Sequence, residues 1–203
     1  ECNGVRGVWG YMKGGMGSIS TALADACESM GVEIHLNTPI EKIMSHNGKV
    51  QGIVANGGQE YIAKAVASGI DPNNTFMKLM DKSQLPDDFH RMVSRINYDS
   101  ASVKINVALS ELPDFKAWPG INMGLQHRGT IHICPDMPYL EAAYADSIQG
   151  FPSKRPILEC TIPSAIDSSV VPEGKHLMNI FSQYGPYDLK NGKTWEQEKE
   201  AYA

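Results

Sequence analysis

The stretch Gly14-Gly15-Met16-Gly17, running into Ser18-Ile19-Ser20-Thr21-Ala22-Leu23 and ending at Met30-Gly31, decides how the rest of the chain is read. After the glycines, Ile19, Ala22, Leu23, Ala26, Cys27 and Met30 recur at helical spacing, with Ser20, Thr21, Asp25 and Glu28 on the opposite side. That spacing predicts an amphipathic helix opened by a glycine loop. Gly31 is placed to end it, because glycine takes the left-handed conformation after a helix without steric cost. Clustered glycines before a helix also let backbone amides approach a ligand and present the positive end of the helix dipole. Two phosphate-binding signatures fail here. Ser20 stands where a dinucleotide fingerprint needs its third small residue, and the loop lacks the Lys-Ser/Thr pair of a phosphate loop.

Working outward, Val32, Ile34 and Leu36 alternate with Glu33 and His35, predicting a half-buried strand. A strand at Ile40 to His46 leads through Asn47-Gly48, a two-residue hairpin signal, to Val50, Ile53 and Val54. Asn56-Gly57-Gly58 then turns the chain into Tyr61 and Ile62. The expectation is a three-strand antiparallel meander, followed by a buried strand at Ala65-Val66-Ala67. Beyond Pro72, short helices are expected around Phe76 to Met80 and from Pro86 through Arg95, the second with Asp87 and Asp88 in its first turn. Strands are predicted at Ser102 to Leu109, Thr130 to Cys134, Ile157 to Thr161 and Leu177 to Phe181, with a helix at Pro138 to Gln149. The fold class is α/β, becoming α+β in a second part that reads as a mixed sheet with helices.

Composition excludes some functions. With 203 residues, 42% of them hydrophobic, the chain is long enough for a substantial core. Its net charge of −5, without a basic run, gives no footprint for nucleic acid. No apolar run reaches the roughly 18 residues of a membrane span. Cys2, Cys27, Cys134 and Cys160 lack metal-ligand spacing and read as buried free thiols in a reducing compartment. His127 and His132, five apart around a predicted strand, do not form a helical ligand pair, and His35 and His46 fall on polar phases of their strands. No metal site is expected. No catalytic constellation of nucleophile, base and orienter emerges, and the catalytic residues stay unassigned.

The order of these parts carries a resemblance. Val8-Trp9-Gly10-Tyr11, the glycine loop, its helix, the hairpins and Ser68-x-x-Asp71-Pro72 come first. Leu85-Pro86-x-x-Phe89, Lys104-Ile105-Asn106-Val107-Ala108, Ile131-His132, Arg155-Pro156, Ile162-Pro163-Ser164, Gln183-Tyr184-x-Pro186-Tyr187 and Gly192-Lys193-x-Trp195 follow. Together they resemble the middle of the phytoene-dehydrogenase-like FAD oxidoreductases, relatives of the carotenoid desaturases and the flavin amine oxidases. The resemblance implies an internal fragment of a glutathione-reductase-like, two-domain flavoprotein. Residues 1–71 would contribute to the FAD-binding domain and 72–203 to a mixed-sheet substrate domain. It places Gly14, Gly15, Met16 and Gly17 near the isoalloxazine, the backbone of Ile40 at the adenine edge of FAD, and Ser68 where the chain returns to the cofactor domain. Gly69 departs from the family's common Ser-Asn pair. The N-terminal fingerprint and the C-terminal glycine-rich segment, which hold most of FAD in this family, match nothing here, so these residues alone are expected to bind FAD poorly.

The implied reaction is hydride removal from a C–H bond of an apolar substrate, with oxygen or a quinone as the electron acceptor; the cofactor carries the chemistry and the protein positions the substrate. Phe76, Met77, Met80, Met123, Met137 and Tyr139 are candidate apolar wall residues. Two alternatives stand beside this reading: a non-catalytic interaction protein that keeps the fold, and an amine oxidase with paired aromatic residues facing the flavin. An animal member of the family is associated with mitochondria, which implies the mitochondrial matrix, or otherwise the cytoplasm.

Overall fold

The structure, a computed structural model, describes Gly4, Arg6 and residues 10–203. Cys2, Val8 and Trp9 lie outside the described residues. The chain divides into two compact units, Glu1–Ser29 with Asp99–Ala203, and Met30–Tyr98. Neither cut falls at Asp71.

In the first unit, the glycine loop opens α1 (Gly17–Ser29). The helix ends as expected, with Gly31 at φ +82° just beyond it. A four-stranded sheet follows, built from β4 (Ser102–Leu109), β5 (Ile131–Ile133), β6 (Ile157–Thr161) and β7 (His176–Gln183), numbered after three strands of the second unit. Its order is β4-β7-β6-β5, and all three pairings are antiparallel. The mixed sheet expected from sequence is thereby corrected. Connections long enough for parallel crossovers are present, yet β5, β6 and β7 lie side by side and antiparallel, and β7 returns against β4. That is a Greek-key order.

Each long connection is pinned by buried polar groups. Between β5 and β6, α3 (Met137–Ile148) is capped by the Asp136 carboxylate accepting from the Tyr139 amide. Buried Ser153 donates its hydroxyl to the Ala143 carbonyl and accepts from the Tyr184 amide. Between β6 and β7, the hydroxyl of buried Ser164 accepts from the Leu177 amide and fixes the start of β7. Leu112, Ile162 and Ala165 form the core cluster, with Phe115 and Met178 packed against it. After β7, α4 (Trp195–Tyr202) returns to the sheet, where the Tyr202 hydroxyl pairs with that of fully buried Ser182 at 2.7 Å.

In the second unit, β1 (Ile40–His46), β2 (Lys49–Ala55) and β3 (Glu60–Ile62) pair antiparallel in chain order. Asn47 (φ 51°) and Gly48 (φ 72°) are both left-handed, the backbone a two-residue hairpin turn demands, and His46 stands opposite Lys49. Gly52 faces the backbone of β3 so closely that a methyl group there would collide with the Tyr61 carbonyl oxygen. Next come a π-helical turn at Asn73–Lys78 and α2 (Asp87–Val93), which is shorter than expected; Phe76 meets Phe89 edge to face at 4.9 Å between centroids.

Two expected strands do not form. Residues 32–36 and 65–67 have no ladder partner among the described residues, and Val32, Ile34 and Leu36 are exposed. Alternation marks a face, but a strand exists only where a neighbour takes its hydrogen bonds.

Candidate functional site

The glycine loop is built from local turns. Gly14 and Gly15 hold φ of 81° and 89°, a region that side chains disfavour. The Gly15 amide donates to the Met12 carbonyl at 2.9 Å, while the Gly15 carbonyl accepts from both the Ser18 amide and the Ser18 hydroxyl. Ile19 N–H reaches back to the Met16 carbonyl. These bonds take up the Gly15, Ser18 and Ile19 amides.

The Gly14 amide goes elsewhere. It donates at 2.6 Å to a carboxylate oxygen of Asp167, 153 residues away in sequence. The other oxygen of Asp167 accepts from the Ser169 amide at 3.0 Å and the Ser169 hydroxyl at 2.6 Å, capping the short turn Ser168–Val170. The carboxyl is held below its ordinary pKa, first by the Ser169 hydroxyl, then by the Gly14 and Ser169 amides, with Lys13 adding attraction. A methyl group on Gly15 would meet the Val170 side chain at ordinary contact distance, and one on Gly14 or Gly17 would meet nothing within 4 Å. α1 carries no acid in its first turn.

This arrangement decides what the loop can hold. An incoming phosphate would face a carboxylate already seated on the Gly14 amide, so the loop does not fit the pyrophosphate of a dinucleotide. On the Gly14 and Gly17 side, no described residue comes within 4 Å of where a side chain would begin, which leaves the clearance a flat aromatic ring requires. Beside it, Val170 also lines an apolar cavity of about 350 Å³, whose wall includes Leu109, Val171, Pro172 and Leu177. His176, at the same wall, has a buried Nδ1 without a hydrogen-bond partner among the described residues.

The other predicted residues lie in the second unit. Ile40 is half-buried at the start of β1, opposite Ala55, beside an irregularity in register. Ser68 is exposed as a residue, but its hydroxyl pairs with that of buried Thr75 at 2.7 Å, which closes the turn into Asp71-Pro72. The Asp71 carboxyl is held low, chiefly by the Asn74 amide. The proposed apolar wall residues divide between the units. Met123 and Met137 are exposed, and the half-buried Tyr139 donates to the Pro156 carbonyl with Arg155 over its ring.

The histidines resolve into structural and surface groups. His127 is fully buried; its Nδ1 accepts from the Gly124 amide and its Nε2 donates to the Pro113 carbonyl, which requires the neutral Nε2–H form. It pins the long β4–β5 connection. His132 is exposed near Glu159, and His35 is exposed near Glu33 and against the Tyr61 ring. Among the described residues, no three His, Cys, Asp or Glu side chains gather as metal ligands. Cys160 is a buried free thiol whose pKa is raised by burial.

Sequence reading overlooked Asp167. Asp167-Ser168-Ser169 does carry the signature of an aspartate cap on a short turn, but nothing local names Gly14 as its second partner.

In fold, the chain is similar to a crystal structure of an oxidoreductase from Methanosarcina mazei, with a TM-score of 0.63 and 24% identity, over 94% of this chain and 39% of that one. In sequence it is 38% identical to the rat pyridine nucleotide-disulfide oxidoreductase domain-containing protein 2, over 98% of this chain and 36% of that protein. It is 27% identical to the chloroplastic prolycopene isomerase of Arabidopsis thaliana, over 95% of this chain and 30% of that protein. The chain thus spans about a third of the length of these curated relatives. The model of the flavin containing amine oxidoreductase family matches residues 2–146. The glycine loop, α1, the meander and the strands through β5 all lie within that match, and the chain belongs to this family.

Proposed function

We propose that these residues are the middle portion of an FAD-dependent oxidoreductase of glutathione-reductase-like, two-domain architecture. Residues 1–71 contribute to its FAD-binding domain and residues 72–203 to its substrate domain. The chemistry that bound FAD would supply is acceptance of a hydride from a C–H bond of an apolar substrate, with a proton leaving the neighbouring carbon as the double bond forms and the electrons passing on to oxygen or a quinone. The residues of this chain bind, orient and exclude water. Gly14, Gly15, Met16 and Gly17 offer an open backbone surface to the ring system, Ile40 offers backbone to the adenine end, and Ser68 fixes the return of the chain.

One observation carries this reading: among the described residues nothing stands within 4 Å of where a side chain would begin at Gly14 or Gly17, and the Gly14 amide is already bonded to the Asp167 carboxylate. The neighbouring apolar cavity supports an apolar substrate, as does similarity to a prolycopene isomerase. The exposed apolar side of α1 and the alternating residues 32–36 find their packing partners in the rest of the longer protein.

Anaerobic mixing of the intact flavin-loaded protein with a panel of apolar polyenes and a panel of amines tests the reaction. Bleaching of the flavin band by polyenes supports the proposal. Bleaching by amines alone replaces it with amine oxidation, the reaction in the family's own description.

A further inference from the structure

We propose that Asp167 is a positioning residue for the flavin, acting through Gly14; this rests on the reading of the glycine loop as the ring-facing surface. Gly14 and Gly15 both adopt left-handed backbone; Gly15 is held within the loop by Met12 and Ser18, whereas the Gly14 amide is held from outside it. Gly14 and Gly17 have no neighbour within reach of a side chain, so packing does not hold them. The bond that reaches the loop from elsewhere in the fold is the short one from the Gly14 amide to the Asp167 carboxylate, with Val170 at contact distance from Gly15.

Asp167 is itself well anchored. Its second oxygen takes two bonds from Ser169, and its amide donates to the Pro163 carbonyl at 2.9 Å. Pro163 follows Ile162, which is 2% exposed in the core cluster. The segment therefore transmits the position of the four-stranded sheet to the loop through one charge-assisted bond, a stronger bond than one between neutral groups. The same segment supplies Val170 to the apolar cavity. A single element thus sets both the surface offered to the ring and one wall of the adjoining space.

The test uses the intact protein as isolated, with Asp167→Ala and Asp167→Asn. Two readouts are taken: amide exchange of the peptide covering residues 10–17, and the visible circular dichroism of bound flavin. Asp167→Ala should speed exchange at Gly14 roughly tenfold, the loss of one charge-assisted bond, and should change the flavin dichroism. Asp167→Asn keeps one acceptor oxygen and should fall between the two, and it decides the matter if the alanine variant does not fold. Variants with wild-type exchange and wild-type dichroism overturn the proposal while leaving the flavoprotein reading intact. Faster exchange with unchanged dichroism also overturns it, since the bond would then hold the loop without orienting the ring. A folded wild-type protein that binds no flavin overturns both.

Discussion

The four-stranded sheet and the segment from α1 to Leu36 are written in equally regular sequence, but only the sheet is packed. In β4, Val103, Ile105, Val107 and Leu109 alternate with outward residues, and the observed burial follows that alternation residue by residue. In α1 the helical spacing is just as regular, yet the helix has no buried residue, and Leu23 is 62% exposed. Val32, Ile34 and Leu36 alternate as cleanly as β4 and form no strand. Periodicity states which face is apolar. Whether that face is covered depends on a partner, and a chain spanning about a third of its relatives need not contain it.

Ile162→Ala should cost about 2–5 kcal/mol in denaturant unfolding, because the site is enclosed by Leu112, Ala165, Phe115 and Met178 and cannot collapse freely. A cost below about 1 kcal/mol would mean that the sheet is no better packed than α1. Next, His127→Ala should cost roughly 1–3 kcal/mol by leaving the Gly124 amide and the Pro113 carbonyl without their buried partner. His127→Gln, which can supply an acceptor and a donor, should recover part of that loss.

Within the meander, Gly52→Ala should cost about 1–3 kcal/mol, because its methyl group would displace the β3 backbone. Weakened amide protection along the β2–β3 ladder, with the β1–β2 pairing retained, is the expected pattern. The smallest effect sharpens the contrast. Leu23→Ala should change the stability of the 203-residue chain by no more than about 0.5 kcal/mol, and that of the intact longer protein by about 2 kcal/mol or more. Equal, small costs in both would show that α1 stays uncovered.

Acid should loosen the loop only below the ordinary carboxylate range. The Asp167 carboxyl has a lowered pKa in the folded chain, so its contribution is complete above the unfolded value, near 3.8, and fades as pH falls through the lower folded one. Amide exchange at Gly14, corrected for its intrinsic pH dependence, should therefore stay protected near neutrality and rise only in that acid range.

Local chemistry accounts for what was legible. Asn47-Gly48 named a hairpin because both positions need positive φ, and the alternation of β4 named a strand because half of its residues face the core. The order β4-β7-β6-β5 was not legible, since strand neighbours are chosen by tertiary packing; the expectation of a mixed sheet failed for that reason. At the site, the glycines announced left-handed backbone, while their anion lay 153 residues away. In sequence His127 is weighed only as a ligand pair with His132, because its two actual partners are backbone groups, which leave no mark in sequence.

The most direct test of the central claim is the visible absorption spectrum of the intact protein carrying these residues, recorded before and after anaerobic reduction. A flavin band that bleaches on reduction and returns with oxygen or a quinone is the predicted result. A folded, flavin-free protein would contradict it and favour a non-catalytic protein that retains the fold.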